Sequence, residues 1–330
     1  MSKSQLLIKP TNEVQRVKRA ILSKIQQYDS IIILRHVRPD PDAIGSQAAL
    51  KELIHTWAPG KTVYLGGETE PSMTFLAEMD DIPDDVFPKS LIIVCDTANQ
   101  ARIDGERYIK GKEWIKIDHH PVVDDFGAIS FVDETASSTC ELIYELFLEA
   151  EKDGAVMTPE MARLLYAGIV ADTGRFRFSN TRDQTFLAAA RLVQEDFSKE
   201  ELYNGMYATN LRLLRLEGFV LSEMTLSPEG AGYIYLTKEV LQKFNVSSQE
   251  ASAIVNTFST LEGLKSWVFF VEEEELIRVR LRSKGPAVHK LAENYNGGGH
   301  AMASGATVYS WEEADNLLEE LKELCRTEST

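Results

Sequence analysis

The stretch IIILRHVRPDPDAIGS, running from Ile31 to Ser46, decides how the chain is read. Its first four residues are an unbroken apolar run, short and β-branched, as expected of a parallel strand buried on both faces. The run ends into His36, Asp40 and Asp42, with Pro39 and Pro41 marking a turn and Gly45-Ser46 a helix start. A strand that opens into an acid-rich loop and then a helix is one βα unit. In open α/β sheets, ligands gather beyond the carboxyl ends of such strands.

The same pattern repeats outward from this unit. Strand-like runs fall at Thr62–Leu65, Leu91–Cys95, Trp114–Ile117 and Ala128–Val132. Helices are predicted over Asn12–Gln27 and Ser46–Trp57. A third opens at the capping-box pattern Ser138 to Glu141 and runs to about Glu149; a fourth opens with Thr158 as N-cap and Pro159 at N1 and runs to about Ile169. This alternation predicts an α/β domain, with a doubly wound, mostly parallel sheet, over residues 1–185. Residues 186–224 read as linking helices. Residues 225–330 read as a smaller mixed α/β domain, with strands at Gly232–Leu236, Ser266–Val271, Leu276–Leu281 and Ala306–Tyr309 and helices at 237–244, 248–257, 286–295 and 311–325.

Three further acidic clusters join the first. The third strand-like run ends into CDTAN, with Asp96; the fourth ends into DHH, Asp118 to His120; and GIVADTGR, with Asp172 and Arg175, follows an apolar helix. Carboxylates sharing one site repel, and some must stay protonated unless cations intervene. Two divalent cations would match Asp40, Asp42, Asp96 and Asp172. Oxygen-rich donors favour Mg²⁺ or Mn²⁺, and imidazole tips the choice to Mn²⁺. Such a pair would clamp a phosphoryl group and activate water.

In this order, HVRPDPDAIGS, CDTAN, DHH and ADTGR resemble the four motifs of the DHH phosphoesterases, and GGGHAMASG (Gly297–Gly305) resembles the signature of the accompanying DHHA1 domain. The likeness spans nearly the whole chain. Flanking strings such as CDTANQARID and IRVRLRSKGP are similar to the nanoRNase subgroup. That resemblance implies a Mn²⁺-dependent enzyme, with Mg²⁺ the alternative, that degrades RNAs of two to five nucleotides and dephosphorylates 3′-phosphoadenosine 5′-phosphate to AMP. Hydrolysis of cyclic or linear dinucleotides needs the same machinery. A nucleotide sensor that binds without turnover is the rival of another class, and the intact ligand set speaks against it.

The resemblance also implies roles. His36 and Asp40 would hold one metal; Asp42, His119 and Asp172 the other; Asp96 would bridge them. His120 would contact the phosphate or steer a proton to the leaving oxygen, with Asp118 orienting a histidine. Arg282, Ser283 and the loop Gly297, Gly298, Gly299 and His300 would contact substrate. Alternation along IRVRLR puts Arg278, Arg280 and Arg282 on one strand face, able to present planar donors to phosphate or base. Arg175 and Asn99 read equally as substrate contacts or as structural hydrogen-bonders. The role of His289 is open.

Composition bounds this reading. The 330 residues carry a formal net charge of −16, which argues against a tight grip on long nucleic acid but permits short RNA and small nucleotides. No apolar run approaches the roughly 20 residues that a membrane helix needs. The N-terminus shows no signal-peptide pattern. Three cysteines, with no paired spacing, suit a reducing cytoplasm. The oligomeric state stays open, a homodimer included.

Overall fold

The computed structural model describes residues 12–124 and 126–327. The chain divides into two units, the boundary falling between Ala208 and Thr209.

The first unit runs α1 (Asn12–Gln27), β1 (Ser30–Leu34), α2 (Pro41–Trp57), β2 (Thr62–Leu65), β3 (Leu91–Cys95), β4 (Glu113–Asp118), β5 (Ile129–Val132), α3 (Thr139–Glu151), α4 (Pro159–Asp172), α5 (Asp183–Leu192) and α6 (Lys199–Tyr207). Its strands form one parallel sheet in the order β2-β1-β3-β4-β5. The strand order reverses between β1 and β3. In doubly wound sheets the ligand crevice opens at that switch point.

Strand side chains alternate between two cores. Ile31, Ile33, Ile93, Cys95, Ile115 and Ile117 pack with residues of α1 to α6. Ile32, Leu34, Ile92 and Val94 face a smaller core closed by Ile82, Phe87 and Phe126 from connecting segments. The sheet is thus covered by helices on one side and mainly by loops and single-turn helices on the other.

Among the helix boundaries that differ from expectation, two matter to the site. The helix expected from Ser46 begins five residues earlier, at Pro41, because Asp40 is its N-cap and accepts from the N–H groups of Asp42 (3.1 Å) and Ala43 (3.0 Å). Proline suits the first helical position, where its missing N–H costs nothing. The helix expected to end near Ile169 continues to Asp172, so this acid belongs to the last turn of α4 rather than to a loop. The capping box at Ser138 is half formed. Ser138 caps α3 by accepting from Glu141 N, but the Glu141 carboxylate instead engages Ser137, Thr185 and Arg182.

The second unit runs α7 (Leu211–Glu223), β6 (Thr225–Leu226), β7 (Ala231–Leu236), α8 (Lys238–Phe244), α9 (Ser248–Ala253), β8 (Ser266–Glu272), β9 (Ile277–Ser283), α10 (His289–Asn294), β10 (Gly298–His300), β11 (Ala303–Val308) and α11 (Trp311–Thr327). Its sheet has the order β10-β11-β9-β8-β7-β6 and is antiparallel except between β7 and β8. The helical stretch 186–224 is shared out: α6 belongs to the first unit and α7 to the second. Among the described residues, no helix is long and apolar enough to cross a membrane.

Candidate metal centre

The carboxyl ends of β1, β3 and β4 and the ends of α2 and α4 bring the acidic motifs together. His36, Asp40 and Asp96 place ligand atoms within 4.8 Å of one another, as do Asp42, His119 and Asp172. Asp96 stands between the two groups, its Oδ2 being 3.3 Å from His36 Nε2 and its Oδ1 3.6 Å from His119 Nε2.

Local chemistry aims each group. His36 Nδ1 lies 2.9 Å from Val37 O and 3.2 Å from an Arg102 guanidinium nitrogen, and His119 Nδ1 lies 3.3 Å from Ala136 O, so in both rings Nε2 is the nitrogen turned to the carboxylates. His119 Nε2 is buried without a well-directed hydrogen bond, yet Asp172, Asp96 and Asp42 oxygens surround it at 3.2, 3.6 and 4.0 Å. Three carboxylates around one imidazole nitrogen need a positive charge among them, which a proton or a metal cation supplies. Oxygen and imidazole donors without thiolate fit Mn²⁺ or Mg²⁺.

The N-terminus of α3 seats Asp42. Thr139 N donates to one carboxylate oxygen (2.7 Å) and Cys140 N to the other (2.8 Å), while Thr139 Oγ1 donates to Asp96 Oδ1 (3.0 Å). Unsatisfied amides at a helix start favour an anion. These contacts bridge residues almost a hundred positions apart, so the local sequence of Thr139 betrays only a helix start. Asn180 makes a comparable tie, donating to Ser137 O and to Asp172 O, each at 3.1 Å. Asp96 has φ +54°, a left-handed conformation that Asp tolerates better than most residues.

Crowding shows in the proton affinities. Burial, and then the charges of Asp96 and Asp172, push Asp42 well above the usual carboxylate range. Asp96 moves the other way, to about 2: burial opposes its charge, but His36 beside it and the charges of His120 and His119 prevail. His119 rises to about 10, because Asp172, Asp42 and Asp96 outweigh burial. The cluster therefore lowers its own repulsion by retaining protons, which divalent cations would displace.

Residues 30–169 match the model described as the DHH family, N-terminal domain, and residues 232–327 match the DHHA1 domain. The chain is 47% identical over 310 residues to the bifunctional oligoribonuclease and PAP phosphatase NrnA of Bacillus subtilis, covering 94% of this chain and 99% of that one. The chain belongs to the DHH family. It is also 43% identical to the probable bifunctional oligoribonuclease and PAP phosphatase NrnA of Streptococcus mutans, over 93% of this chain and 99% of that one. Among solved structures, an exopolyphosphatase-related protein from Bacteroides fragilis superposes with a TM-score of 0.85 at 28% identity, covering 94% of this chain and 98% of that one.

The triplet that names the DHH family divides its labour here. Asp118 Oδ1 accepts from His120 N (3.2 Å) and lies 2.8 Å from His120 Nδ1, so the histidine Asp118 orients is His120. His120 Nδ1 is also 3.5 Å from Asp96 Oδ1. Arg175, which reads equally as a substrate contact or a structural hydrogen-bonder, has φ +63° and its guanidinium lies 4.9 Å from the centroid of the Tyr207 ring.

In the DHHA1 unit, β9 alternates as expected: Ile277, Val279, Leu281 and Ser283 are buried, and Arg278, Arg280 and Arg282 are half-buried on the other face. Arg278 pairs with Glu273 at 3.2 Å. Burial, and then the charge of Arg280, lower the proton affinity of Arg282. Ser283 lies on the opposite face from Arg282. Its hydroxyl is engaged with Ser266 Oγ (3.0 Å), Lys265 O (3.3 Å) and Gly285 N (3.0 Å). The glycine segment, expected as a loop, pairs as β10 with β11. A Cβ on Gly297 would overlap Gly305 O, and one on Gly299 would come within 2.7 Å of Ala303 O, whereas one on Gly298 would meet open space. Sheet packing thus accounts for two glycines of the three. His300 is exposed at the end of β10.

Gly168 on α4 offers a sharp test of the metal centre. A Cβ there would overlap Cys140 Sγ and come within 2.6 Å of Asp42 Oδ1. Overpacking of this kind costs about 1–3 kcal/mol. Gly168→Ala should lower Tm and displace the Asp42 carboxylate, reducing bound Mn²⁺ and turnover while leaving the circular dichroism spectrum unchanged. Unaltered metal content would show that Asp42 is not held by this contact.

Proposed function

We propose that the chain is a two-metal phosphoesterase that trims RNAs of two to five nucleotides to mononucleotides and converts 3′-phosphoadenosine 5′-phosphate to AMP. One observation carries the reading: beyond the switch point of the sheet, Asp96 belongs both to a group with His36 and Asp40 and to a group with His119 and His120. The 47% identity to a relative named for both activities supports it.

In this reading His36 and Asp40 hold one cation, Asp42, His119 and Asp172 the other, and Asp96 serves both. The bound cations would supply positive charge to the phosphoryl oxygens and acidify water. Two imidazoles in the donor set favour Mn²⁺ over Mg²⁺. His120, oriented through Nδ1 by Asp118, contacts the reacting phosphate and delivers the proton to the leaving oxygen. Arg282 and Arg280, with Gly297–His300, recognise the nucleotide through its phosphate or base. The buried hydroxyl of Ser283 supports the strand rather than the ligand. The three free cysteines are buried, which suits a reducing compartment, and we place the enzyme in the cytoplasm.

A panel with Mn²⁺ tests this directly: 3′-phosphoadenosine 5′-phosphate, cyclic and linear dinucleotides, RNAs of increasing length, and pyrophosphate. The rate should be highest for two- to five-nucleotide RNA and fall steeply beyond it. Equal rates on a 24-nucleotide RNA, or binding without turnover of any member, would refute the reading. Arg282→Ala should weaken dinucleotide binding by roughly 1.5–3 kcal/mol, the range for a lost charge-assisted hydrogen bond. It should leave hydrolysis of bis-p-nitrophenyl phosphate nearly unchanged, since that small ester needs only the metal centre. Equal slowing of both substrates would remove Arg282 from recognition.

A further inference from the structure

We propose that Lys116 is a positioning residue that acts on His120 through Asp118. The inference rests on the reading of His120 as a contact to the reacting phosphate.

Lys116 and Asp118 are two apart on β4, so their side chains share one face of the strand. Lys116 is only 1% exposed, unusual for a lysine, which is rarely buried unless paired. Its ammonium has three partners in reach: Ala98 O at 3.1 Å, Asp124 O at 3.4 Å and Asp118 Oδ2 at 3.4 Å. The Phe126 ring lies beside it, 4.9 Å from the centroid.

Each partner belongs to a segment that frames His120. Ala98 follows Asp96 by two residues. Asp124 lies just beyond His120; its N–H donates to Ala98 O (3.3 Å) and its Oδ2 accepts from Gln100 N (2.9 Å). Asp118 links the two sides. Its Oδ1 holds His120, while its Oδ2 is buried with no hydrogen-bond partner and has the Lys116 ammonium as its ion-pair partner. One carboxylate is therefore divided between a fixed cation and an imidazole. With the ammonium gone, Oδ2 would be a bare buried charge, and nothing would set the plane of the carboxylate that orients His120. The competing explanation is a staple that stabilises the fold and leaves His120 alone.

A double-mutant cycle separates the two. Turnover of 3′-phosphoadenosine 5′-phosphate with Mn²⁺ is measured for wild type, Lys116→Met, His120→Ala and the double variant. Lys116→Met should lower kcat about ten- to a hundredfold, the usual effect of losing a partner that orients a histidine. KM and bound Mn²⁺ should stay within about twofold, as a group remote from substrate and metal implies. Added to His120→Ala, it should lower kcat no further. If the two losses multiply, or if metal content or KM changes as much as kcat, Lys116 acts independently of His120 and the proposal is overturned. Should Lys116→Met fail to fold, Lys116→Met/Asp118→Asn removes both charges. It should then turn over no more slowly than Asp118→Asn alone, and a further loss would again overturn the proposal. The underlying reading fails in a different way: His120→Ala would then keep wild-type kcat, and any loss in Lys116→Met would run through another group.

Discussion

Replacing Asp96 by Ala is expected to lower turnover of every substrate about a thousandfold or more, the scale set by losing several kcal/mol of charge stabilisation at the phosphoryl group. Asp96 faces His36 with one oxygen and His119 with the other, so one substitution disturbs both imidazole–carboxylate groups. The left-handed backbone complicates this variant, since Ala at φ +54° costs about 1 kcal/mol on its own. Asp96→Asn is the matched control: it keeps the shape and suits the backbone but removes the charge. Both variants should keep the wild-type circular dichroism spectrum and lose bound metal by elemental analysis. Chelator-treated wild type should recover with Mn²⁺, and neither variant should. Near-wild-type kcat in Asp96→Asn would end the assignment of two cations to this cluster.

The second large effect separates neighbouring histidines. His119 Nε2 is enclosed by three carboxylates, whereas His120 Nδ1 lies nearest Asp118, at 2.8 Å, with Asp96 Oδ1 at 3.5 Å. His119→Ala should therefore lower bound Mn²⁺ and lose activity with it, partly restored at high Mn²⁺. His120→Ala should bind metal normally and lose rate by about a hundred- to ten-thousandfold, the span of general acid–base contributions. High Mn²⁺ should not restore it. The discriminating measurement is metal per chain at fixed free Mn²⁺, and the reverse pattern would exchange the two roles.

Much of this is legible in the sequence. Strands buried on both faces are written as continuous apolar runs, and the boundaries of β2 and β3 match the sequence reading residue for residue. The acids at their ends converge because a parallel sheet puts every carboxyl end on one side. Less visible was the start of α2. Two prolines beside two aspartates look like a turn, yet Asp40-Pro41 is also an N-cap and N1 pair. Its consequence is large, because it makes Asp42 a helical residue with a buried carboxylate. The amides that seat Asp42 had no local signature, since they belong to a helix almost a hundred residues away. Lys116 did leave a trace, as a single cation in an apolar strand, but only its neighbours in space give it a role. The face of Ser283 was available from the same alternation that aligned the arginines, in phase with Val279 and Leu281.

Cys140, which carries no chemistry in the proposed reaction, sits where three helices lock. A Cβ on Gly45 would come within 3.1 Å of its sulfur and 2.7 Å of Leu164 O, and a Cβ on Gly168 would overlap the same sulfur. Cys140 therefore fills the space between positions 45 and 168, and neither glycine has room beside it for a methyl group. Trimming the side chain at 140 would free neither glycine, since Leu164 O still blocks position 45 and Asp42 still blocks position 168. The walls that hold both glycines small are thus a backbone carbonyl and the acid itself.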